Sequence, residues 1–285
     1  MRRLIINADD FGLTAGVNRA IAEAGRCGGI TSATIMANGA AFSEAVGSAR
    51  SAPQLKTGCH VVMIDGQAVA SGLPSLADSG GRFRNSLRDF ARAAVGKHLA
   101  AEEIQREAEA QIRKIQAAGA PLTHVDSHKH THMFPQVLRP VLRAAKACGI
   151  RAVRNPFEPM RSWPLGVVAS TPGLWLRAAG VVTFQWFASE FYRAIKEEGI
   201  RSTDGTVGIA ATGKLNQRML LAILGALPEG TWELVCHPGY ADADLKASGT
   251  RLVESRQVEL EALASEATKR AIAATGIELI SYADL

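Results

Sequence analysis

At 285 residues, 47% of them hydrophobic, the chain can bury one substantial core, and its length fits a single large α/β barrel or two small domains. Its net charge of +5, from 32 basic and 27 acidic interspersed residues, argues against a nucleic-acid footprint, which needs a concentrated basic patch with aromatics; the densest run, Arg82, Arg84, Arg88, Arg92 and Lys97, reads as a solvated helix face. Four scattered cysteines (Cys27, Cys59, Cys148, Cys236) without CxxC spacing argue against a disulfide scaffold, and MRRLIINADDFG reaches Asp9 too soon for a signal peptide, so the expectation is a reduced, cytoplasmic protein.

In chain order, RLIIN (3–7) predicts a short apolar strand and AGVNRAIAEAGRCG (15–28) a helix ended by Gly28 and Gly29. TSATIMAN (31–38) predicts a strand, 41–50 a helix closed before Pro53, and KTGCHVVM (56–63) a strand. Residues 64–100, rich in Gly, Pro and Ser turns, read as an insertion. The clearest helix is 101–118, charged on one side and stopped by Gly119 and Pro121. LTHVD (122–126) predicts a strand, and 135–149 a helix opened by Pro135, closed by Gly149, with Pro140 as a point of bending. IRAVRNP (150–156), DGTVGIA (204–210) and WELVCHPG (232–239) predict strands, 251–274 one long helix, and IELISY (277–282) a last strand. Residues 161–192, with three of the four tryptophans, form a second insertion. Pro164, Pro172, Arg177 and the glycines argue against a membrane span there. The stretch reads as a core helix with a packed loop, or as an apolar wall beside the site that could take a lipid tail or a sugar face. Alternating strands and helices imply a mainly parallel sheet with right-handed crossovers. About eight strands over this length imply an irregular or complete (β/α) TIM-like barrel. With no linker or repeat, residues 1–285 form one domain.

The stretch HVDSHKHTHMFP concentrates chemistry. His124, Asp126, His128, His130 and His132 occupy even positions, which an extended chain points to one face; the expectation is a short strand entering a loop near Ser127. Neutral imidazole and anionic oxygen together are what a divalent metal takes. In a parallel barrel, functional groups sit at the C-terminal ends of strands. Asp9 and Asp10 follow the first strand, His60 falls late in the third, Asp126 and His128 at the end of the fourth, Arg154 and His237 at two later ends. Six of the seven histidines belong to these clusters, His98 being the exception. Singly, each has a bland reading: a turn cap for the Asp pair, core packing for His60, turn chemistry for His237, an ordinary ion pair for Arg154. Together they predict a site assembled from separate strands. Cys59 and Cys236, each one residue before a histidine, point to the opposite face and read as packing residues.

NADDFG, GCHVVM, THVDSHKHTHMFP and CHPG, in this order, resemble the YdjC-like family of carbohydrate deacetylases, a likeness covering nearly the whole chain. The resemblance implies an irregular barrel, one divalent metal ion and removal of acetyl groups from N-acetylated sugars. It implies Asp10, His60 and His128 as metal ligands, Asp9 as general base, Arg154 as the group that positions or tunes that base, and His237 as general acid. The family often reads HLDSHHHVH, and this chain has Lys129 where a middle histidine commonly stands; on the strand reading Lys129 points away from the ligands. His130 and His132 then support the ligands or face substrate, with Asp126 orienting a ligand imidazole; which of His128, His130 and His132 ligates stays open. Zn or Mg heads the metals implied, with Mn, Co or Ni also compatible. The substrate is an N-acetylglucosamine saccharide or, as in the hopanoid-biosynthesis branch of the family, a glycolipid. No nucleic-acid partner or transmembrane segment is expected, and peripheral membrane contact and a homodimer stay open. The rivals are a metal-dependent sugar isomerase or phosphoesterase on a similar barrel, and a non-catalytic sugar-binding protein.

Overall fold

The computed structural model describes residues 1–285. Strands β1 (Arg2–Phe11), β2 (Ser32–Ile35), β3 (Lys56–Val61), β4 (Val125–Ser127), β5 (Gly205–Val207), β6 (Gly230–Cys236) and β7 (Ile277–Leu279) form one sheet in the order β4-β3-β2-β1-β6-β5, every pairing parallel. One edge of β1 pairs with β6 from Arg2 to Ala8, while its other edge takes β7 at Arg2–Leu4 and then β2 from Asn7 onward.

The sheet curls, and irregular contacts carry it from β4 to β5. Val125 bridges Val153, Ala152 bridges Arg201, and the Thr206 N–H donates to the Phe157 carbonyl at 2.9 Å. The expected strand at 150–156 is therefore present only as isolated bridges. Pro156 and Pro159 have no N–H to give, which stops a regular ladder there. The architecture is the expected α/β irregular barrel.

Twelve helices cover the outside: α1 (Ala15–Arg26), α2 (Phe42–Ser51), α3 (Leu87–Val95), α4 (Ala101–Ala117), α5 (Pro135–Ala147), α6 (Leu165–Ser170), α7 (Leu174–Phe184), α8 (Ala188–Glu198), α9 (Gln217–Ala226), α10 (Ala243–Ala247), α11 (Glu254–Ala264) and α12 (Glu266–Thr275). Thr14 caps α1 by accepting from the Val17 N–H, and the helix buries Val17, Ala20, Ile21 and Ala24 at helical spacing. The single helix expected over 251–274 is instead two. Ser265 breaks it, because its hydroxyl accepts the Thr268 N–H and starts α12 afresh.

The insertion at 64–100 holds two antiparallel bridges and α3, and is pinned to α4 where Glu107 accepts the Val69 and Ala70 N–H groups. Arg88 and Arg92 lie exposed on α3, but Arg82 and Arg84 precede it, and Arg84 donates to the Ser75 and Leu76 carbonyls. The insertion at 161–192 folds as α6, α7 and the start of α8, with Phe184 and Phe187 edge-on to Phe134. No helix is long and apolar enough to cross a membrane. All four cysteines are free, Cys59 and Cys236 fully buried.

Candidate active site

Adjacent residues in a regular strand point to opposite faces, so Asp9 and Asp10 could not both face one pocket without a local break. That break is present. The β1–β2 register shifts between Ala8 and Phe11, and Asp10 has φ 66°, a left-handed conformation that strains any side chain except glycine. The sequence placed the pair just after the strand; β1 in fact runs on to Phe11 and the bulge turns both carboxylates inward.

Asp10 Oδ1, His60 Nε2 and His128 Nδ1 form a triangle with edges of 3.5, 3.3 and 3.3 Å. Asp10 Oδ1 is buried and has no hydrogen-bond partner. A buried carboxylate oxygen is costly to leave unpaired, so an orphan facing two imidazole nitrogens fits a cation held among the three. The other oxygen of Asp10 accepts from Arg256 of α11. Burial acts to raise the Asp10 pKa, and Arg256, His128 and His60 outweigh it, holding the carboxyl well below the usual range.

Under the triangle, fully buried Arg154 binds three carboxylates. Its Nη1 and Nη2 donate to the two oxygens of Asp9 at 2.8 and 2.6 Å, its Nε and Nη2 to Glu233 at 2.8 and 2.6 Å, and its Nη1 lies 2.8 Å from Asp126. Tyr282 donates to the second oxygen of Glu233. Asp126 also meets His60 Nδ1 at 2.7 Å and accepts from Thr34 at 3.0 Å, leaving His60 Nε2 free to face Asp10 and His128. A carboxylate on the far nitrogen fixes a ligand imidazole's orientation and tautomer. Burial depresses the His60 pKa, but Asp126, Asp9 and Asp10 push it up to about 9: this floor attracts positive charge. Asp9, His60 and Asp126 also converge as a second acidic group, yet Arg154 already bonds both carboxylates.

The even-residue pattern of the histidine run ends at Ser127. His128–Met133 form a tight 3₁₀ turn in which Lys129 and His130 both have φ 53°. His128 alone of this run reaches the triangle, with its side chain 21% exposed. His132 is locked away: Nδ1 pairs with Ser127 Oγ at 2.5 Å and Nε2 with the Arg154 carbonyl at 3.1 Å. It supports the Arg154 backbone rather than a substrate. His130 keeps a buried, unpartnered Nδ1. His124 stacks on Tyr282 at 3.8 Å and bonds Asn7 at 3.2 Å, inside the barrel. Lys129 does not turn clear of the site, because it pairs with Asp65, whose Oδ2 lies 3.8 Å from His128 Nε2. His98 is exposed, away from these groups.

His237 Nε2 sits 3.8 Å from Asp9 Oδ2, and its backbone N–H donates to Glu259 at 2.6 Å. Burial holds the His237 pKa down to about 4 against the pull of Asp9 and Asp10. Burial pushes Glu259 up to about 7. For Asp9, burial raises the pKa, and Arg154, His60 and His237 overcome it, keeping the carboxyl well below its ordinary value.

Asp65, Glu233, Arg256 and Glu259 were not singled out by the sequence. Glu233 had a signal, a carboxylate in the apolar strand WELVC. Arg256 and Glu259, three apart on α11, look like any solvated helix face until the helix is docked with both buried.

Residues 3–274 match the family described as YdjC-like protein. A carbohydrate deacetylase of Brevibacillus brevis is 34% identical over 283 residues, covering 99% of each chain. A chitooligosaccharide deacetylase of Yersinia enterocolitica is 33% identical over 288 residues, covering 99% of this chain and 98% of its own. The crystal structure of a candidate cellobiose-phosphate cleavage protein of Enterococcus faecalis V583 superposes with a TM-score of 0.78 at 26% identity, covering 99% of this chain and 98% of that one.

Proposed function

The chain belongs to the YdjC-like family, and from that premise we propose that it is a metal-dependent carbohydrate N-deacetylase, releasing acetate from an N-acetylglucosamine-containing saccharide or glycolipid. The observation that carries the metal is the triangle around the orphaned Asp10 oxygen. Its edges of 3.3–3.5 Å bring one carboxylate oxygen and two imidazole nitrogens close enough that they would hold one ion between them. Two imidazole nitrogens beside a single carboxylate suit zinc better than magnesium, which takes oxygen donors. The same donors also accept Mn, Co or Ni.

Asp10, His60 and His128 would hold the ion. The chemistry such an ion supplies when bound is Lewis acidity toward water and toward an amide carbonyl. Everything else falls to the chain's own groups. Asp9, held by Arg154, accepts the proton of the attacking water on Oδ2, the oxygen that faces His237. A carboxylate of such low pKa is a weak base, so it relays the proton rather than keeping it. His237, neutral near pH 7 because its pKa is about 4, is the group that receives that proton; it stands 3.8 Å from Asp9 Oδ2, beyond hydrogen-bond range, so the transfer requires the two to close together in the substrate complex. It then hands the proton to the departing amine, which leaves as the free amino sugar. Glu259 fixes the His237 backbone throughout. A two-ion phosphoesterase is disfavoured because Arg154 already occupies both carboxylates of the second acidic group.

The test is acetate release from a panel of N-acetylglucosamine disaccharides, phosphorylated forms and glycolipids, with metal-stripped protein and after zinc or magnesium is restored. Metal-dependent acetate and one ion per chain are expected. Two tightly held ions, or binding of N-acetyl sugars without turnover, would overturn the reading.

A further inference from the structure

The solvent side of the 160–187 segment is an apolar surface without a carboxylate. Ten large hydrophobic side chains of the molecule are exposed, and five of them lie here: Trp186 at 86%, Leu165 at 67%, Met160 and Trp175 at 61%, and Leu176 at 59%. Clustering of half the exposed set in one segment separates it from the scattered apolar residues any surface carries. Residues 159–189 contain Arg161 and Arg177 but no Asp or Glu. On α7 the buried side holds Leu174 and Ala178, while the exposed side holds Trp175, Leu176, Ala179, Gly180 and Thr183. An ordinary surface helix turns charge to water; α7 turns tryptophan and leucine to it.

Cations rim this face. Lys214 bonds the Pro172 carbonyl, Arg218 bonds Ser170 Oγ at 2.9 Å, and Arg177 bonds the Thr212 carbonyl; these are neutral acceptors, so the positive charges stay uncompensated. A cavity of about 290 Å³ opens beside α6, lined by Val167, Leu215 and Met219 together with Lys214 and Arg218. Interfacial tryptophans, an apolar helix face and flanking cations are the combination that binds an anionic bilayer surface. A second copy of the chain is a poorer occupant. A two-fold contact over this face would bring two sets of the cations Arg161, Arg177, Lys214 and Arg218, with no carboxylate of the segment between them, into one interface.

We propose that this face seats the protein on an anionic lipid surface, with the mouth of the site turned toward it. Phe184 and Phe187 pack on Phe134, directly after the turn that carries His128, and Arg177 ties α7 to the loop beyond β5. α7 and the two phenylalanines thus stand toward the C-terminal ends of β4 and β5, while Arg161, stacked on Trp232 near the start of β6, marks the far end of the segment. The further consequence, that the N-acetyl sugar is presented on a lipid, rests on the deacetylase reading; the docking face does not.

The experiment is co-sedimentation of the zinc-loaded full chain with phosphatidylcholine vesicles, with and without phosphatidylglycerol, alongside acetate release from a soluble N-acetyl sugar. The wild type is expected to bind only the anionic vesicles, with tryptophan emission quenched by brominated lipid. Trp175→Ser with Trp186→Ser should abolish both signals. Lys214→Gln with Arg218→Gln should weaken partitioning roughly fivefold per charge removed. Neither pair should change acetate release. A wild type that stays in the supernatant overturns the docking face, as does a solution dimer that the tryptophan substitutions dissolve. Vesicle binding without turnover of any N-acetyl compound sinks the deacetylase reading and leaves the docking face standing. Turnover of soluble sugar but of no glycolipid overturns only the lipid-borne substrate.

Discussion

Beneath the Asp10–His60–His128 triangle, Arg154 is fully buried and bound to three carboxylates, each held again by a second partner: Asn7 for Asp9, Thr34 for Asp126, Tyr282 for Glu233. Above it, His128 is 21% exposed, and the Asp65–Lys129 pair beside it is 39% and 35% exposed. Floor and rim thus divide the work. A satisfied low-dielectric network fixes geometry, because moving any one group breaks several contacts at once. A half-wet rim can exchange contacts as substrate arrives. The same contrast repeats at larger scale between the closed interior and the exposed tryptophans Trp175 and Trp186.

The most severe way to break this contrast is Arg154→Met. It strands Asp9, Asp126 and Glu233 without their cation, and unpairing a buried charge costs about 3–5 kcal/mol. We expect a chain that unfolds at much lower urea than the wild type, or fails to fold. A variant within about 1 kcal/mol of the wild type would show that the floor is not clamped by charge. Next is Asp126→Asn, which keeps the Arg154 contacts to Asp9 and Glu233 but cannot hold His60 as an anion does. Metal affinity should fall roughly 10–100-fold with stability less affected, the usual loss for the partner of a ligand histidine. Competition with a chelating dye reads it; unchanged affinity would separate the floor from the ligands.

The floor also predicts a pH limb. Burial and the Arg154 charge bring the His132 pKa down to about 3 against the upward pull of the Arg154 carbonyl on Nε2, while Ser127 holds Nδ1. The unfolded chain protonates this histidine near 6.5. Between 6.5 and about 3 the unfolded state therefore binds a proton that the folded state refuses, so the contribution is intact above pH 6.5 and lost as pH falls. The slope is at most about 1.4 kcal/mol per pH unit. From pH 7 to 5 the wild type should lose about 2 kcal/mol more than His132→Asn, measured by urea midpoints. Parallel losses would mean that His132 is not held neutral.

How much of this was legible depends on what each residue's signal was made of. Apolar runs and strand-end positions are local, so β1, β3, β4 and β6, with Asp9, Asp10, His60, Asp126 and His237 near their ends, could be read directly. The end of the even-residue pattern at Ser127 was legible too, since a strand of the full length was implausible. The left-handed turns at Lys129 and His130 were not, because only tertiary contacts pay for positive φ outside glycine. Residues 150–156 read as a strand from Ile150, Ala152 and Val153, while Pro156 left only bridges. Arg256 and Glu259 were invisible because burial of a charged pair is decided by what α11 packs on, not by its spacing.

The smallest effect gives the sharpest test of floor against rim. Asp65 and Asp126 both place a carboxylate against the outer nitrogen of a triangle histidine, one at 3.8 Å and one at 2.7 Å. The longer contact exceeds a hydrogen bond, and the half-buried Asp65 is screened by water and shared with Lys129. Asp65→Asn should therefore lower metal affinity less than about tenfold, below the range set by Asp126→Asn. Lys129→Ala frees Asp65 to turn toward His128 and should leave affinity unchanged or slightly raised. If Asp65→Asn instead matched the loss from Asp126→Asn, His128 would be held as firmly as His60. The Lys129 pairing would then be part of the ligand scaffold, and the rim would be no softer than the floor.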